Sequence, residues 1–174
     1  MKRLIIGVSG ASGAHLAERF IKKLPKSIET FVILSDSAKI VLKKEQNQTI
    51  LDDKNIGAAT ASGSFKCDAM VIIPCSMNTL AKISSGIADN LLTRTASVML
   101  KENRTLLLAP REMPYSTIVL ENMLKLSRLG VIVAPPVSAY YADIKKLRDM
   151  EDFFIGKWFD LLGIEHKLFK RWEG

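Results

Sequence analysis

The sequence predicts an α/β fold: a single-domain doubly wound, Rossmann-like, mostly parallel sheet with helices on both faces. Two observations predict it. Short apolar runs rich in Val, Ile and Leu alternate with amphipathic stretches along all 174 residues, and within each run the apolar residues are continuous. Continuous runs are typical of parallel strands that are covered on both faces. Their alternation with helices indicates right-handed β-α-β units, which place the strand-to-helix loops at one edge of the sheet.

Five apolar runs are predicted to be strands, and five amphipathic stretches between and after them are predicted to be helices. The strands are 4–8, 30–34, 69–73, 106–109 and 131–133; the helices are 14–24, 37–44, 91–101, 117–129 and 144–162. Residues 46–66 are the least regular part and are expected to form a mobile loop. The tail 163–174 carries Phe169 and Trp172, and aromatic side chains in a tail indicate that it docks on something.

Length and composition set the broad class. Hydrophobic residues make up 48% and charged residues 25% of the chain, as in a globular protein of one domain, residues 1–174. No apolar run approaches the roughly 20 residues that span a bilayer, and the basic, apolar start is too short for a signal peptide. We therefore expect a cytoplasmic protein with no membrane partner, in which Cys67 and Cys75 are reduced thiols.

The chain has a formal net charge of +7, from 25 basic and 18 acidic residues. A basic balance suits nucleic acid, anionic membranes or small anionic ligands. Here the Lys and Arg residues are scattered, and neither zinc-ligand spacing nor an aromatic-basic recognition motif accompanies them. We therefore expect no nucleic-acid partner, and phosphorylated small molecules account for the charge equally well.

The first predicted strand leads into a glycine-rich loop, residues 9–13. Glycines let the backbone approach a ligand, and the free N–H groups of a helix N-terminus favour a phosphate. A tight turn capped by Ser12 is the structural alternative. The second glycine of the G-x-G-x-x-G dinucleotide pattern is missing. Asp36 near the end of the second strand keeps a nicotinamide cofactor as a weak alternative, although it would serve equally as a helix cap.

Three further loops at strand ends are polar. Residues 74–79 bring three small polar side chains, residues 110–114 hold an Arg-Glu pair between prolines, and residues 134–141 bring two prolines and two tyrosines. Each loop could instead have only a structural role: the first as a helix cap, the second as a weak ion pair and the third as packed aromatic rings. Because the carboxyl ends of parallel strands meet at one edge of a sheet, the four loops are expected to converge on a ligand.

Some common catalytic arrangements are missing from the sequence. His15 and His166 are the only histidines, and they predict no Ser-His-Asp triad; His15 is expected on the surface of the first helix. Asp52 and Asp53 form an isolated pair, and no clustered carboxylates that would hold magnesium follow on a helix. We therefore expect catalysis without a metal.

Several segments resemble those of the UbiX-type flavin prenyltransferases, and the resemblance runs nearly end to end. The matching segments are 10–13, 74–79, 100–104, 110–114, 120–124, 135–141, 162–164 and 171–172. The R-E-x-P pattern followed by L-E-N-M-L is specific, whereas G-A-S-G is shared with related flavoprotein decarboxylases. The weakest match is 46–66, which is shorter here than in many relatives.

The resemblance implies an enzyme that joins a dimethylallyl group from dimethylallyl phosphate to N5 and C6 of reduced FMN. The product is the prenylated FMN cofactor of UbiD-type decarboxylases, which in many bacteria serve ubiquinone synthesis or aromatic-acid metabolism. Lys, Arg and Tyr donors can carry the negative charge of the departing phosphate without a metal. Members of the family form large homo-oligomers, commonly dodecamers, so we also expect composite active sites.

The resemblance also implies roles for individual residues. The FMN-binding positions are Gly10, Ala11, Ser12, Ser35, Ser76, Met77, Asn78, Thr79 and Arg111. The prenyl phosphate would be held by Tyr141 and Lys157; many relatives have arginine in place of Lys157, and lysine keeps the charge but loses the bidentate fork. Other active-site positions, together with Tyr141, are Glu45, Arg94, Lys101, Glu112 and Trp172. Without the resemblance, Arg94 and Lys101 would be interpreted as ordinary charges on a helix surface.

Two other functions stay open at this point. An FMN-dependent cysteine-type decarboxylase of the related flavoprotein group would share the fold, but it typically needs an active-site histidine that the sequence does not offer. A non-enzymatic FMN carrier would need the flavin loops but not Lys157, Tyr141 or Trp172. Within the prenyltransferase reading, the C6 proton could pass to Glu112, to Glu45 or to the released phosphate.

Overall fold

The computed structural model describes residues 1–10, 13–35, 38, 47–140 and 144–171. Its strands are β1 Arg3–Val8, β2 Glu29–Leu34, β3 Gln48–Asp52, β4 Ala69–Cys75, β5 Thr105–Pro110 and β6 Ile132–Val133. Its helices are α1 Ala14–Lys23, α2 Met77–Ser84, α3 Leu91–Lys101, α4 Thr117–Arg128 and α5 Leu147–Leu161, with a 3-10 turn at Ala59–Ala61. The chain divides into two compact units, Met1–Pro135 and Pro136–Gly174.

The first unit contains a six-stranded sheet in the order β3-β2-β1-β4-β5-β6. Every described pairing is parallel, so the predicted doubly wound parallel sheet is confirmed. The chain steps outward in one direction from β1 to β2 and in the other direction from β4 to β5. Right-handed crossovers therefore put α1 on one face of the sheet and α2 and α3 on the other. The strand order reverses between β1 and β4, which is where ligands bind in sheets of this kind.

The core of this unit lies on both faces of β4. All seven residues of β4 are buried, as expected for a continuous apolar run in the middle of a parallel sheet. α3 packs against β2, β4 and β5, because its apolar side chains Leu92, Ala96 and Met99 fall on one helical face and are buried. The basic residues Arg94 and Lys101 are left on the exposed face of the same helix.

The expectation of an irregular loop at 46–66 is wrong. β3 lies in this segment and extends the sheet, since it pairs with β2 from Thr30↔Gln48 to Leu34↔Asp52. β3 is an edge strand with mostly exposed side chains, so backbone pairing rather than an apolar run creates it, and its sequence gives little strand signal. No helix was predicted at α2 either. The predicted helix 37–44 lies almost wholly outside the described residues.

Other expectations about single residues agree with the structure. Cys67 is half-buried, Cys75 is buried, and both are free thiols. Burial raises the pKa of Cys75 to about 12, so this thiol is protonated at neutral pH. His15 is exposed on α1. Within the described part of the chain, no helix has both the length and the apolar character needed to cross a membrane.

Candidate functional site

A cavity of about 460 Å³ opens at the reversal of strand order, at the carboxyl ends of the strands. Its volume falls in the range of small-molecule sites, about 300–1,000 Å³. The lining is polar and comes from the loops after β1, β2, β3 and β4, from α2 and from the segment before α3. It consists of Ser9, Ser35, Asp53, Lys54, Ser76, Asn78, Thr79, Lys82, Asp89 and Asn90.

A second cavity, of about 180 Å³, adjoins the first, because both are lined by Ser9 and Ser76. Its other lining residues come from the loops after β1 and β5, from the end of β4 and from the first residue of α2: Gly10, Pro74, Cys75, Met77, Arg111 and Glu112. Three of the four loops predicted to converge, 9–13, 74–79 and 110–114, therefore contribute to these cavities, whereas no described residue of the fourth, 134–141, is among the lining residues. We call the two cavities together the switch-point groove.

Hydrogen bonds tie the loop after β1 to the loop after β4. The Ser76 N–H donates to Ser9 Oγ over 2.9 Å, and the Ser9 N–H donates to the Pro74 carbonyl over 3.1 Å. Ser76 Oγ also accepts the Thr79 N–H at 3.2 Å, which makes Ser76 the N-cap of α2, and it lies 3.0 Å from Thr79 Oγ1. Capping and ligand binding were alternatives for this loop; the cap is present, and the same hydroxyls line the groove.

Arg111 lies against the N-terminus of α1. Gly13 is the N-cap of this helix with φ +86°, and a Cβ added there would lie 3.3 Å from Arg111 Cδ and 3.4 Å from its Nε. Only glycine adopts this left-handed conformation readily and leaves room for the guanidinium. The free N–H groups and positive dipole end of a helix, next to an arginine, form a strong anion site. This corner of the groove therefore suits a phosphate.

Asp53 joins the end of β3 to the start of α3, and sequence reasoning missed it. Its side chain is 6% exposed, and Oδ1 accepts the Leu92 N–H at 2.8 Å. The Asp53 carbonyl accepts the Leu91 N–H, also at 2.8 Å. A carboxylate beside the first N–H groups of a helix is favourable. Little in the sequence indicated this role, because β3 itself was not predicted. Once β3 is assigned, Asp53 is a polar residue at the end of a strand, which is where ligand-binding residues are expected in such a sheet.

The wall formed by α2 and the segment before α3 carries both signs of charge. Lys82 Nζ lies 2.6 Å from Asp89 Oδ2, and this contact holds the pKa of the Asp89 carboxyl below its ordinary value. Asn90 caps α3 by accepting the Thr93 N–H at 2.9 Å. The ion pair is partly exposed and stabilises the fold little, but it holds both groups at the groove. Asp-Asn before an apolar run is a helix-start signal that could have located this wall.

Glu112, Arg94 and Lys101 differ in how close they lie to the groove. Glu112 lines the smaller cavity, and its Oε1 accepts the Met113 N–H at 3.0 Å. Arg94 lies one helical turn beyond Asn90, exposed on α3. Lys101 is at the far end of α3, about 15 Å along the helix axis from its first residue, and pairs with Glu102 Oε1 at 2.8 Å. The structure therefore does not bring Lys101 to the groove of its own chain.

Other proposed residues lie outside the first unit or outside the described residues. Lys157 is exposed on α5, in the unit Pro136–Gly174. Ala11, Ser12, Glu45, Tyr141 and Trp172 lie outside the described residues. Within the described ranges, no group of three or more His, Cys, Asp or Glu side chains is placed to hold a metal ion.

Comparison with known proteins identifies the family. The chain matches the Flavoprotein family over residues 1–158. It is 50% identical over 183 residues to the flavin prenyltransferase UbiX of Helicobacter pylori, and the alignment covers 98% of each chain. The chain belongs to the UbiX flavin prenyltransferase family. The resemblance inferred from the sequence motifs is thereby confirmed.

Two solved structures with UbiX-type names share this fold over almost their whole length. The dodecameric FMN-dependent UbiX-like decarboxylase from Escherichia coli O157:H7 has a TM-score of 0.91 at 40% identity and covers 99% of this chain and 100% of its own. AnUbiX (PadA1), in complex with FMN and dimethylallyl pyrophosphate, has a TM-score of 0.92 at 37% identity, with coverage of 99% and 98%. The parallel sheet of this chain therefore belongs to the UbiX architecture.

Proposed function

We propose that this chain is a flavin prenyltransferase that joins the dimethylallyl group of dimethylallyl phosphate to N5 and C6 of reduced FMN. The observation that carries the proposal is the anion site of Arg111 and the α1 N-terminus, which adjoins a hydroxyl-lined groove in a chain of the UbiX family. Because the UbiX relative from H. pylori is covered over 98% of its length, we further propose that residues 1–174 act as one functional domain.

The residues of the groove fit FMN. Gly13 leaves the space that the Arg111 side chain fills, so a guanidinium and the helix N-terminus can hold the phosphate together. Ser76, Asn78 and Thr79 offer hydroxyl and amide groups along the larger cavity, and these can hydrogen-bond the polar edge of a flavin ring. We assign Gly10, Ser35 and Met77 to the same ligand, and Ala11 and Ser12 by the family resemblance.

When bound, reduced FMN supplies the two ring positions that take the dimethylallyl group. The C–O bond to phosphate breaks as the bond to N5 forms, and the phosphate takes away the electron pair. We assign Lys157 and Tyr141 as the donors that stabilise this charge. Closure at C6 would use the C=C bond of the transferred group: one alkene carbon takes up the proton that N5 gives up on alkylation, and the other bonds to C6. C6 then releases its own proton, for which Glu112, at the smaller cavity, is one acceptor; Glu45 and the released phosphate are the others. Trp172 would face the allylic cation as it develops.

The test is incubation of the protein with reduced FMN and dimethylallyl phosphate, followed by mass analysis of the extracted flavin. We expect a mass gain of one dimethylallyl group. Bound but unmodified flavin would instead favour the non-enzymatic carrier. Release of carbon dioxide from a cysteine-containing substrate, with unmodified flavin, would favour the decarboxylase.

We also propose that the product is delivered to a UbiD-type decarboxylase and that the reaction takes place in the cytoplasm. Prenylated FMN is a cofactor for another enzyme rather than an end product, and the family resemblance names that enzyme class. The free thiols Cys67 and Cys75 are consistent with a reducing compartment.

The position of Lys101 supports a homo-oligomer with composite active sites. Arg94 and Lys101 are seven residues apart on the exposed face of α3, and Lys101 lies too far along the helix to serve its own groove. The α4 side chains Leu120 and Leu124 lie one helical turn apart and are 52% and 51% exposed, so they present apolar surface on one face of the helix, as interfaces do. A relative that matches over the whole chain is dodecameric, so we propose that Lys101 serves a neighbouring copy.

Mixing of variants tests this arrangement. Lys101→Ala and Arg111→Ala are each expected to lose most of the prenyl transfer activity on their own. Mixed oligomers of the two variants should regain part of it, because some sites then receive Arg111 from one copy and Lys101 from another. Light scattering checks that the mixture assembles. Full activity in a monomer, or no recovery in verified mixed oligomers, would contradict the composite site.

A further inference from the structure

The tail that follows α5 folds back onto that helix. Within the unit Pro136–Gly174, the ring of Phe169 lies over Gly156 in the middle of α5, and a Cβ added at Gly156 would come within 2.5 Å of Phe169 Cε1 and 2.7 Å of His166 Cε1. Gly156 is fully helical and buried. Its missing side chain is therefore the space in which two tail rings sit. The docking that the aromatic tail residues predicted is seen here for Phe169.

The rings of the tail pack against one another and against α5. The ring centroids of Phe169 and Phe153 are 4.9 Å apart, and those of Phe169 and His166 are 5.3 Å apart. The guanidinium of Arg171 lies 5.6 Å from the centre of the Phe169 ring, a cation–π distance. Packing of this kind fixes Phe169 in position rather than merely covering it.

A carboxylate of α5 joins the two ends of the docked segment. His166 Nε2 lies 3.1 Å from Asp160 Oδ1, while His166 Nδ1 accepts the Leu168 N–H at 3.1 Å. Because Nδ1 is an acceptor, Nε2 carries the proton and donates to Asp160. Arg171 donates to both oxygens of the same carboxylate, at 2.7 and 3.2 Å. We call Gly156, Asp160, His166, Phe169 and Arg171 the tail latch.

The latch lies next to two positions that matter to the proposed reaction. Lys157, the proposed phosphate ligand, directly follows Gly156 in α5. Trp172, which the family resemblance places beside the prenyl group, directly follows Arg171 in the sequence. The bidentate Arg171–Asp160 pair is partly exposed and stabilises little by itself. Its geometric effect is to fix the last described residue of the chain against the helix that carries Lys157.

We propose that the tail latch positions Trp172 for prenyl transfer, with Gly156 and Asp160 as positioning residues that act through the tail. The inference rests on the proposed function, because Trp172 matters only if an allylic group reacts beside it. The latch residues themselves contact neither FMN nor the prenyl group in this proposal. Their effect is therefore on the rate of transfer and not on FMN affinity.

Gly156→Ala tests the latch with little harm to the helix. Alanine is the better helix former, yet its methyl group cannot share the space of the Phe169 and His166 rings. We expect faster hydrogen exchange over residues 164–171, unchanged FMN affinity and about tenfold slower single-turnover transfer, the loss that one cation–π contact accounts for. Phe169→Ala alters only the tail and should give the same three results. Arg148→Ala, an exposed charge of the same helix, is the control and should change none of them.

A double-variant cycle separates positioning from general weakening. If the latch acts through Trp172, Gly156→Ala combined with Trp172→Ala is no slower than Trp172→Ala alone. Three outcomes would overturn the inference. The losses of transfer rate in the double variant could be additive, or the tail could be released while the transfer rate stays at the wild-type value. The third outcome is a tail that stays protected from exchange in both Gly156→Ala and Phe169→Ala. If the wild-type protein makes no prenylated flavin, the proposed function fails and the positioning role fails with it. The exchange data still report independently whether the tail docks.

Discussion

Lys157→Ala is expected to slow prenyl transfer by about 10²–10³-fold while FMN stays bound, because loss of one donor to developing charge in a dry site typically has this effect. Tyr141→Phe should act in the same direction. The rate of transfer should fall while FMN binding does not change, because both side chains are assigned to the leaving phosphate. FMN is assigned to the loops after β1, β2, β4 and β5. Single-turnover absorbance on FMN-saturated variants measures the rate of transfer, because prenylation changes the spectrum of the reduced flavin.

Lys157→Arg is the matched control for this prediction. It keeps the charge and restores the bidentate fork that many relatives are expected to have, so its transfer rate should equal or exceed that of the wild type. If Lys157 were only a solvated residue of α5, Lys157→Ala would be silent. Wild-type rates in Lys157→Ala and Tyr141→Phe would remove both residues from the site and strengthen the FMN-carrier alternative.

Gly13→Ala is expected to weaken FMN binding by about tenfold or more. The new methyl group would press on Arg111, whose Cδ and Nε lie 3.3 and 3.4 Å from the Cβ position, and would shift the guanidinium from the α1 N-terminus. A hydrogen bond to a charged group contributes about 1.5–3 kcal/mol, and about 1.4 kcal/mol corresponds to a factor of ten in affinity. Titration of flavin fluorescence measures the dissociation constant.

Gly86→Ala separates this steric effect from backbone strain. Gly86 has φ +73°, close to the +86° of Gly13, but no atom lies within 4 Å of its Cβ position. Both variants place an L-residue in the left-handed region and should lose about 1–2 kcal/mol of unfolding free energy, measured by urea denaturation. Only Gly13→Ala should lose FMN affinity. Equal losses of affinity in both variants would show that Arg111 is not involved.

The fold was largely predictable because it depends on local patterns. Buried parallel strands such as β4 are continuous apolar runs, and their alternation with helices specifies the architecture. β3 was missed because an edge strand owes its structure to the hydrogen-bonding edge of β2 and not to its own side chains. α2 was missed because it is only eight residues long and follows a loop whose polar residues were read as ligand groups.

The candidate site was predictable to the extent that it follows from topology. Ser9, Ser76 and Arg111 meet because parallel strands end at one edge of the sheet. Asp53 and Lys82 could not be assigned to the site, because Asp53 depends on the edge strand β3 and Lys82 lies on α2, and neither element was predicted. Arg94, Lys101 and Lys157 look like any exposed helix charge, so only the family resemblance gives them a role.

The hydrogen bonds between the loops after β1 and β4 affect how much ordering a ligand must bring about. A polar side chain that is mobile before binding loses rotamer freedom on binding, which costs about 0.5–1.5 kcal/mol. Ser9 Oγ already accepts the Ser76 N–H, and Ser76 Oγ is already engaged with Thr79. These hydroxyls therefore lose little further freedom when a ligand arrives. The consequence is kinetic as well: a ligand meets Ser9 and Ser76 already in place, so these two residues add no loop-ordering step to its association.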